Sequence, residues 1–499
     1  MNLHLILPEV LVLVGGLLAV TVSLVAPPAR RAGLVPWVAG LALAAALAAV
    51  LVLRPDGVSL AGSHLSDGFS RFVRAMACAG GLLLVVISSS YTRRLDRGHG
   101  EFYGLLLFAL LGVMLVSSVT DLMGLFVSLE LVTITSYVLA AFKRTDPRSA
   151  EAGLKYLVVG AVSSAFLLFG CALVFGATGS VTFATISTHV AGKGFGPLLA
   201  LGAGLVFCGL FFKAAAVPFQ VWAPDVYQGA PSPVTAFLSS LSKSAGFVLL
   251  LRIVSILVVP AAGTPGGDAW IAFFGVVASL TLLYGNLGAM PQRDVKRLLA
   301  YSSIGHAGYM LLGVTVVIAA KTTALRVDGA AAVLVYLVAY YLTTLTAFAV
   351  VVALSAQGRG HDSAGVYAGL HRRSPLLAFA MLLALLSLAG VPPMAGLIGK
   401  FLVFFSLVGA AEARPGLYAL GVVGSLGVVL SLYYYLLLIR DMYAKEPAAD
   451  GPQGPIVLPL GTKVAVFVGI FALIGLGVYW GGAFDAARAA ASALFAARG

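Results

Sequence analysis

Charge is scarce in this chain: Lys and Arg number 31 and Asp and Glu 19 among 499 residues, 10% together. Soluble domains carry about 25% charged residues, so a water-exposed globule of this length is excluded. Cysteine is scarcer. Cys78, Cys171 and Cys208 are the full set, and they fall in apolar runs on different predicted helices, which argues against a disulfide framework or a metal cluster. The opening MNLHLILPEV lacks the basic region and small-residue cleavage site of a signal peptide, so the first apolar run is read as retained. The glycines lie in apolar stretches, without the strand–turn–helix setting that a nucleotide fold requires.

Apolar residues are what the chain has. They make up 60% of it, and the mean hydropathy is +1.03. Runs long enough to cross about 30 Å of hydrocarbon as helices recur over 3–25, 34–53, 69–91, 102–119, 122–142, 152–177, 197–219, 233–257, 269–289, 298–320, 329–356, 375–409 with an interruption, 416–439 and 462–482. Unpaired backbone groups are not tolerated in lipid, so these runs must be helices, and the glycines and alanines fit close helix packing. The expected fold is an all-α polytopic membrane protein with about 14 transmembrane helices.

The net charge of +12 invites a nucleic-acid reading, which the loops dispel. Arg30, Arg31, Arg93, Arg94, Arg97, Lys143, Arg144, Arg148, Arg293, Lys296, Arg297, Arg359, Arg372, Arg373, Arg440, Lys445 and Lys463 fall on one side of the membrane. Arg54, Arg71, Arg74, Lys193, Lys321, Arg326, Arg414, Arg488 and Arg498 fall on the other. The excess of 17 against 9 marks a cytoplasmic face, with no nucleic-acid partner, and places both termini outside.

Five basic residues remain within spans: Lys155, Lys213, Lys243, Arg252 and Lys400. Glu130, in LFVSLELVTITSY, is the carboxylate near the middle of a span. An ionisable group at bilayer depth costs a few kcal/mol and normally faces a bundle interior or wet cavity. At about 1.5 Å per residue, Glu130 and Lys243 come about 14 and 17 Å into their spans. Arg252, about one turn from its span's end, reads as a snorkelling side chain, and Lys155 as either a snorkelling or a relay group. Structural ion pairing is the alternative for the rest.

Two spans are also broken. Pro218 follows Lys213 in LFFKAAAVPFQVW, and Pro392 and Pro393 precede Lys400 in LLSLAGVPPMAGLIGKF. Proline removes a backbone bond and clashes with the preceding turn, so each helix should kink or unwind there. A pair of Gly/Pro-interrupted spans in corresponding halves points to an inverted-repeat transport site. His306, among Ser302, Ser303 and Tyr309, is either a proton carrier or a satisfied core histidine. Tyr336, Tyr340, Tyr341 and Tyr433 to Tyr435 read as packing or interface residues.

The wording FFKAAAVPFQVWAPDVYQGAPSPVTAFLSSLSKSAGF, followed by GNLGAMPQRDVKRLLAYSSIGHAGYMLLG, resembles the antiporter-like membrane subunits of respiratory complex I, the bacterial NADH:quinone oxidoreductase, over essentially the whole chain. The resemblance implies fourteen helices with two inverted five-helix repeats, each with a broken helix. The segments would be 1–100, three N-terminal helices; 101–257, the first repeat; 268–443, the second; and 444–499, a loop and final helix. It implies a proton relay in which Glu130 pairs with Lys213, Lys243 is central, Lys400 serves the second broken helix, and Lys155 and His306 assist. One sibling subunit carries glutamate in place of Lys400 and another ends in a long lateral helix, whereas this sequence stops soon after Trp480. The family often has histidine where Gln220 stands, and glutamine does not titrate.

The implied activity is proton translocation by a non-redox subunit of a translocase in the bacterial inner membrane. No cofactor or metal is expected in this chain; NADH, FMN, iron–sulfur clusters and quinone would belong to partner subunits, and other complex I membrane subunits and the bilayer would be its neighbours. Rival readings are a subunit of a multisubunit Na+/proton antiporter, an independent solute transporter and a bridging scaffold.

Overall fold

The computed structural model describes residues 3–54, 56–95, 98–355, 364–446 and 454–496. Arg97, Arg359 and Arg498, counted above among the loop charges, lie outside the described residues. Among the described residues, fourteen helices are long and apolar enough to cross a membrane, in the positions expected from the runs.

Three helices, Leu7–Val25, Pro28–Leu53 and Gly68–Thr92, come first. Five spans follow between His99 and Ala261, the fourth broken into Pro197–Ala214 and Ala223–Gly229. Five more lie between Pro265 and Ala444, and again the fourth is broken, into Pro375–Ala389 and Ala395–Ala413. Five is odd, so the second set starts from the face opposite to the first, and the two sets are inverted relative to each other. Leu460–Val478 closes the bundle. Val295–Ala319 is wholly enclosed and Thr323–Ser355 nearly so, which makes these two helices the interior against which the broken helices pack.

The breaks follow from the residues. The first half-helix stops at Ala214 because Ala215 turns left-handed (φ 56°) ahead of Pro218. The amide of Val217 is then held by Thr281 (3.0 Å), and the carbonyl of Phe212 by the Trp222 indole (3.2 Å). In the second, Gly390 (φ 88°) ends the helix before the Pro392–Pro393 pair. Both breaks contain a cis peptide, Val217–Pro218 and Pro392–Pro393.

Beyond the expected spans lie a two-stranded hairpin, Gly57–Ser59 with His64–Ser66, and two short helices, Phe183–Lys193 and Gly481–Phe495. The span Ser232–Ala261 holds two wide π-helical turns, Leu238–Ser242 just before Lys243 and Val254–Val258 just after Arg252. Gly246 lets this span touch the first broken helix. A Cβ there would lie 2.9 Å from the Ala214 amide nitrogen and 3.0 Å from the Lys213 carbonyl carbon, both backbone atoms that cannot yield. Gly246→Val is therefore expected to push the two helices apart and lower stability by about 1–3 kcal/mol, measured as a drop in the thermal midpoint of the detergent-solubilised complex.

Candidate functional site

The charged groups of the spans divide into a central row and a peripheral cluster. In the row, Lys213, Lys243 and Lys400 are 2%, 1% and 3% exposed. Glu130 is half-buried, and its Oε1 accepts from Ser164 of the neighbouring helix at 2.5 Å. Lys213 donates to Thr133 at 3.4 Å, one turn along from Glu130 on the same helix. Among the described residues, no ion pair within 4.0 Å joins Glu130 to Lys213. Each is held by a different hydroxyl, the carboxylate by Ser164 and the ammonium by Thr133.

Lys243 has no carboxylate partner among the described residues. It donates to the Ser303 carbonyl oxygen (2.7 Å) and hydroxyl (2.5 Å), and its Nζ lies 5.9 Å from the centre of the Tyr340 ring. One turn beyond Ser303, His306 engages both ring nitrogens: Nδ1 meets the Tyr336 hydroxyl at 2.7 Å and Nε2 the Tyr435 hydroxyl at 3.4 Å. Tyr435 also meets the Ser302 hydroxyl. Lys400 lies 5.0 Å from the centre of the Tyr309 ring and donates to the carbonyls of Leu388 (2.8 Å) and Ala389 (2.9 Å).

Those two carbonyls are the orphaned end of the half-helix Pro375–Ala389, and Lys213 stands in the last turn of Pro197–Ala214. The C-terminal end of a helix carries partial negative charge. Both lysines therefore sit at the negative end of a half-helix, although one precedes its break in sequence and the other follows it.

Lys155 stands apart from the row. It is exposed and pairs with Glu151 (2.8 Å) and Asp225 (2.7 Å), the latter also held by Arg297 at 2.5 Å. Lys155, Glu151 and Asp225 border a cavity of about 310 Å³ lined also by Arg148 and Gln228. Gln220 is buried.

Three side chains depart from expectation. Arg252 does not snorkel: it is fully buried, donates to the Ser117 carbonyl and lies 3.5 Å from Asp67, because Asp67, capping the next helix at Ser70 N, is folded within its reach. Arg74, expected on the surface, is also fully buried. It pairs with Glu9 at 2.6 Å and donates to Ser66 (2.8 Å), Ser118 (3.0 Å) and His64 Nε2 (2.7 Å). Lys296 is buried rather than in a loop and donates to the Ala230 carbonyl at 2.8 Å. Sequence reasoning missed Glu9 and His64, and it read Tyr435, which bonds Ser302 and His306, as a packing or interface residue. The signals of a polar interior were the charges within spans and His306 set among Ser302, Ser303 and Tyr309.

The family model for NADH:quinone oxidoreductase/Mrp antiporter transmembrane regions matches residues 119–430. The chain belongs to this family of antiporter-like membrane subunits. NADH-quinone oxidoreductase subunit N of Moorella thermoacetica is 40% identical over 480 residues, covering 96% of each chain. Its namesake from Rhodospirillum rubrum is 40% identical over 497 residues, 98% of this chain and 96% of the relative. A chain of respiratory complex I from Thermus thermophilus with bound aureothin superposes with a TM-score of 0.77 at 34% identity, covering 97% of this chain and 99% of that one. A chain of the Mrp complex from Dietzia sp. DQ12-45-1b, 22% identical, shares the fold with a TM-score of 0.84 over 99% of this chain and 98% of that one.

Burying an ion pair is tolerable only while both partners remain. Glu9→Gln leaves Arg74 uncompensated and is expected to cost about 3–5 kcal/mol, seen as a lower thermal midpoint, and Glu9→Gln with Arg74→Met recovers most of it. Burial, then the Arg74 charge, pushes the His64 imidazole down to about 4. An unfolded histidine titrates near 6.5, so below that value the unfolded chain gains a proton the folded one refuses. Stability should fall as pH drops from about 6.5 to about 4, a loss that His64→Gln reduces in thermal melts taken across that range.

Proposed function

We propose that this chain is the proton-translocating subunit N of a bacterial NADH:quinone oxidoreductase, working through Glu130, Lys213, Lys243, His306 and Lys400, with Lys155 beside an uptake cavity. The observation that carries this reading is the row of buried lysines held by hydroxyls and carbonyls, with a buried imidazole bonded to two phenols beside it. Such groups pass protons by exchange of hydrogen bonds. Ammonium groups repel a metal cation, which favours H+ over Na+ as the ion moved. Segments 1–100, 101–257, 268–443 and 444–499 are the working units of this proposal, the two middle ones each contributing a broken helix.

Flavin, iron–sulfur and NADH chemistry and quinone reduction belong, in this reading, to partner subunits, and the chain sits in the bacterial inner membrane with both termini outward. Met123, Val127, Ile134 and Val138 are exposed along the helix face that carries Glu130, a surface suited to a neighbouring membrane subunit. A conformational change transmitted across it would move Glu130 relative to Lys213.

The energies are sufficient. A membrane potential of roughly 150 mV opposes each proton by about 3.5 kcal/mol. A carboxylate and an ammonium at about 4 Å attract by about 4 kcal/mol at an effective dielectric constant of about 20. Making and parting one such pair therefore matches the load. With the pair closed, Lys213 keeps its proton; with it open, hydrocarbon disfavours the ammonium and the proton moves on toward Lys243.

Lys243→Met in the complete complex, reconstituted in vesicles, should lower the protons moved per NADH oxidised while leaving assembly intact. Wild-type translocation by this variant would remove Lys243 from the relay. Translocation that stops when sodium is replaced by potassium would instead favour the sodium/proton antiporter reading, to which the shared fold of the Mrp chain lends support.

A further inference from the structure

Between Lys243 and Lys400 the described interior holds no other amine or carboxylate that could carry a proton, and Ser303 and the carbonyls of Leu388 and Ala389 account for the lysines' own hydrogen bonds. What fills the interval is phenol. The Tyr435 hydroxyl joins Ser302, adjacent to the Ser303 that Lys243 contacts, to Nε2 of His306. On the other side of the ring, Nδ1 meets the Tyr336 hydroxyl. Tyr336 packs against Gly399, the residue before Lys400, so closely that a Cβ there would lie 3.0 Å from its ring. It also lies parallel to Tyr309, at 6.3 Å between centres and 20° between planes, and Lys400 covers the face of Tyr309. Tyr336 and Tyr435 are both almost fully buried. A buried phenol in mere packing needs one partner for its O–H; here two phenols address the two nitrogens of one imidazole.

We infer that Tyr435 and Tyr336 are proton-carrying members of the relay, the first delivering to His306 from the Lys243 side and the second receiving from it toward Lys400. This rests on the proton-translocating reading above. Phenol hydroxyls both donate and accept, so each can take a proton on its oxygen while releasing the one it holds. The balance closes. Lys243 loses one proton, which the neighbouring hydroxyls of Ser303 and Ser302 hand on to Tyr435; Tyr435 gives its own to Nε2; His306 releases its Nδ1 proton to Tyr336; and Tyr336 gives its own onward to the neutral amine of Lys400. Both phenols end unchanged, and the imidazole ends in its other tautomer, which a ring flip restores. Neither phenolate nor imidazolium need form as a lasting species.

The test uses the complete complex in vesicles, with protons moved per NADH oxidised as the readout and Lys243→Met as the reference. Tyr336→Phe and Tyr435→Phe, which remove only an oxygen, should each lose the share of translocation that Lys243→Met loses. Tyr433→Phe, 55% exposed on the same helix as Tyr435, should lose none. Replacing Tyr336 with 3,5-difluorotyrosine, of similar shape but more acidic hydroxyl, should restore translocation and shift its pH dependence to lower pH. If Lys243→Met is impaired and both phenylalanine variants pump normally, the tyrosines are packing groups and this inference falls while the relay stands. An unshifted profile with the fluorinated residue overturns it equally. If Lys243→Met itself pumps normally, the relay reading fails first.

Discussion

An ammonium group taken out of water must be solvated by something, and in this protein the solvation comes mostly from neutral oxygen. Lys213, Lys243 and Lys400 lean on a threonine, a serine and two freed carbonyls rather than on carboxylates. A full ion pair would fix the proton in place. Dipoles of this kind solvate a buried charge without the fixed counter-charge of an ion pair, which is the property the proposed relay requires of its lysines. The second broken helix supplies such dipoles directly, its freed carbonyls of Leu388 and Ala389 accepting from Lys400.

The hairpin end of the bundle shows the opposite use of charge. Arg74 with Glu9, and Arg252 with Asp67, are buried with their counter-charges beside them. Asp67 also caps a helix, and Arg252 lies on the span that carries Lys243. Here the charges fasten four helices and the hairpin to one another. Where the row is loosely satisfied, this cluster is closed.

Much of this was legible in the sequence. Length and hydropathy located all fourteen spans, because apolar runs of about 20 residues satisfy their backbone in lipid as helices, and Pro218 and the Pro392–Pro393 pair located both breaks through the geometry of the pyrrolidine ring. The six relay candidates were found because charge in an apolar run is conspicuous. The partners were not legible. Ser303 lies 60 residues from Lys243 and Tyr435 129 from His306, and neither residue type is unusual in a membrane helix. Arg252 and Arg74 were misplaced because their counter-ions come from other helices near span ends, where an arginine normally reaches water. The apparent mismatch between Lys213 before its break and Lys400 after it also dissolved only in three dimensions, at the ends of the half-helices.

The row runs from helix to helix, through Glu130, Lys213, Lys243, His306 and Lys400 on five different spans, and not along any one of them. Charge displaced sideways in this fashion crosses almost none of the electrical field, which acts along the membrane normal. In the proposed relay, work against voltage, about 2.3 kcal/mol per charge for each 100 mV traversed, would then fall on the steps that fill and empty the row. The lateral transfer can stay close to isoenergetic whatever the cell's electrical state.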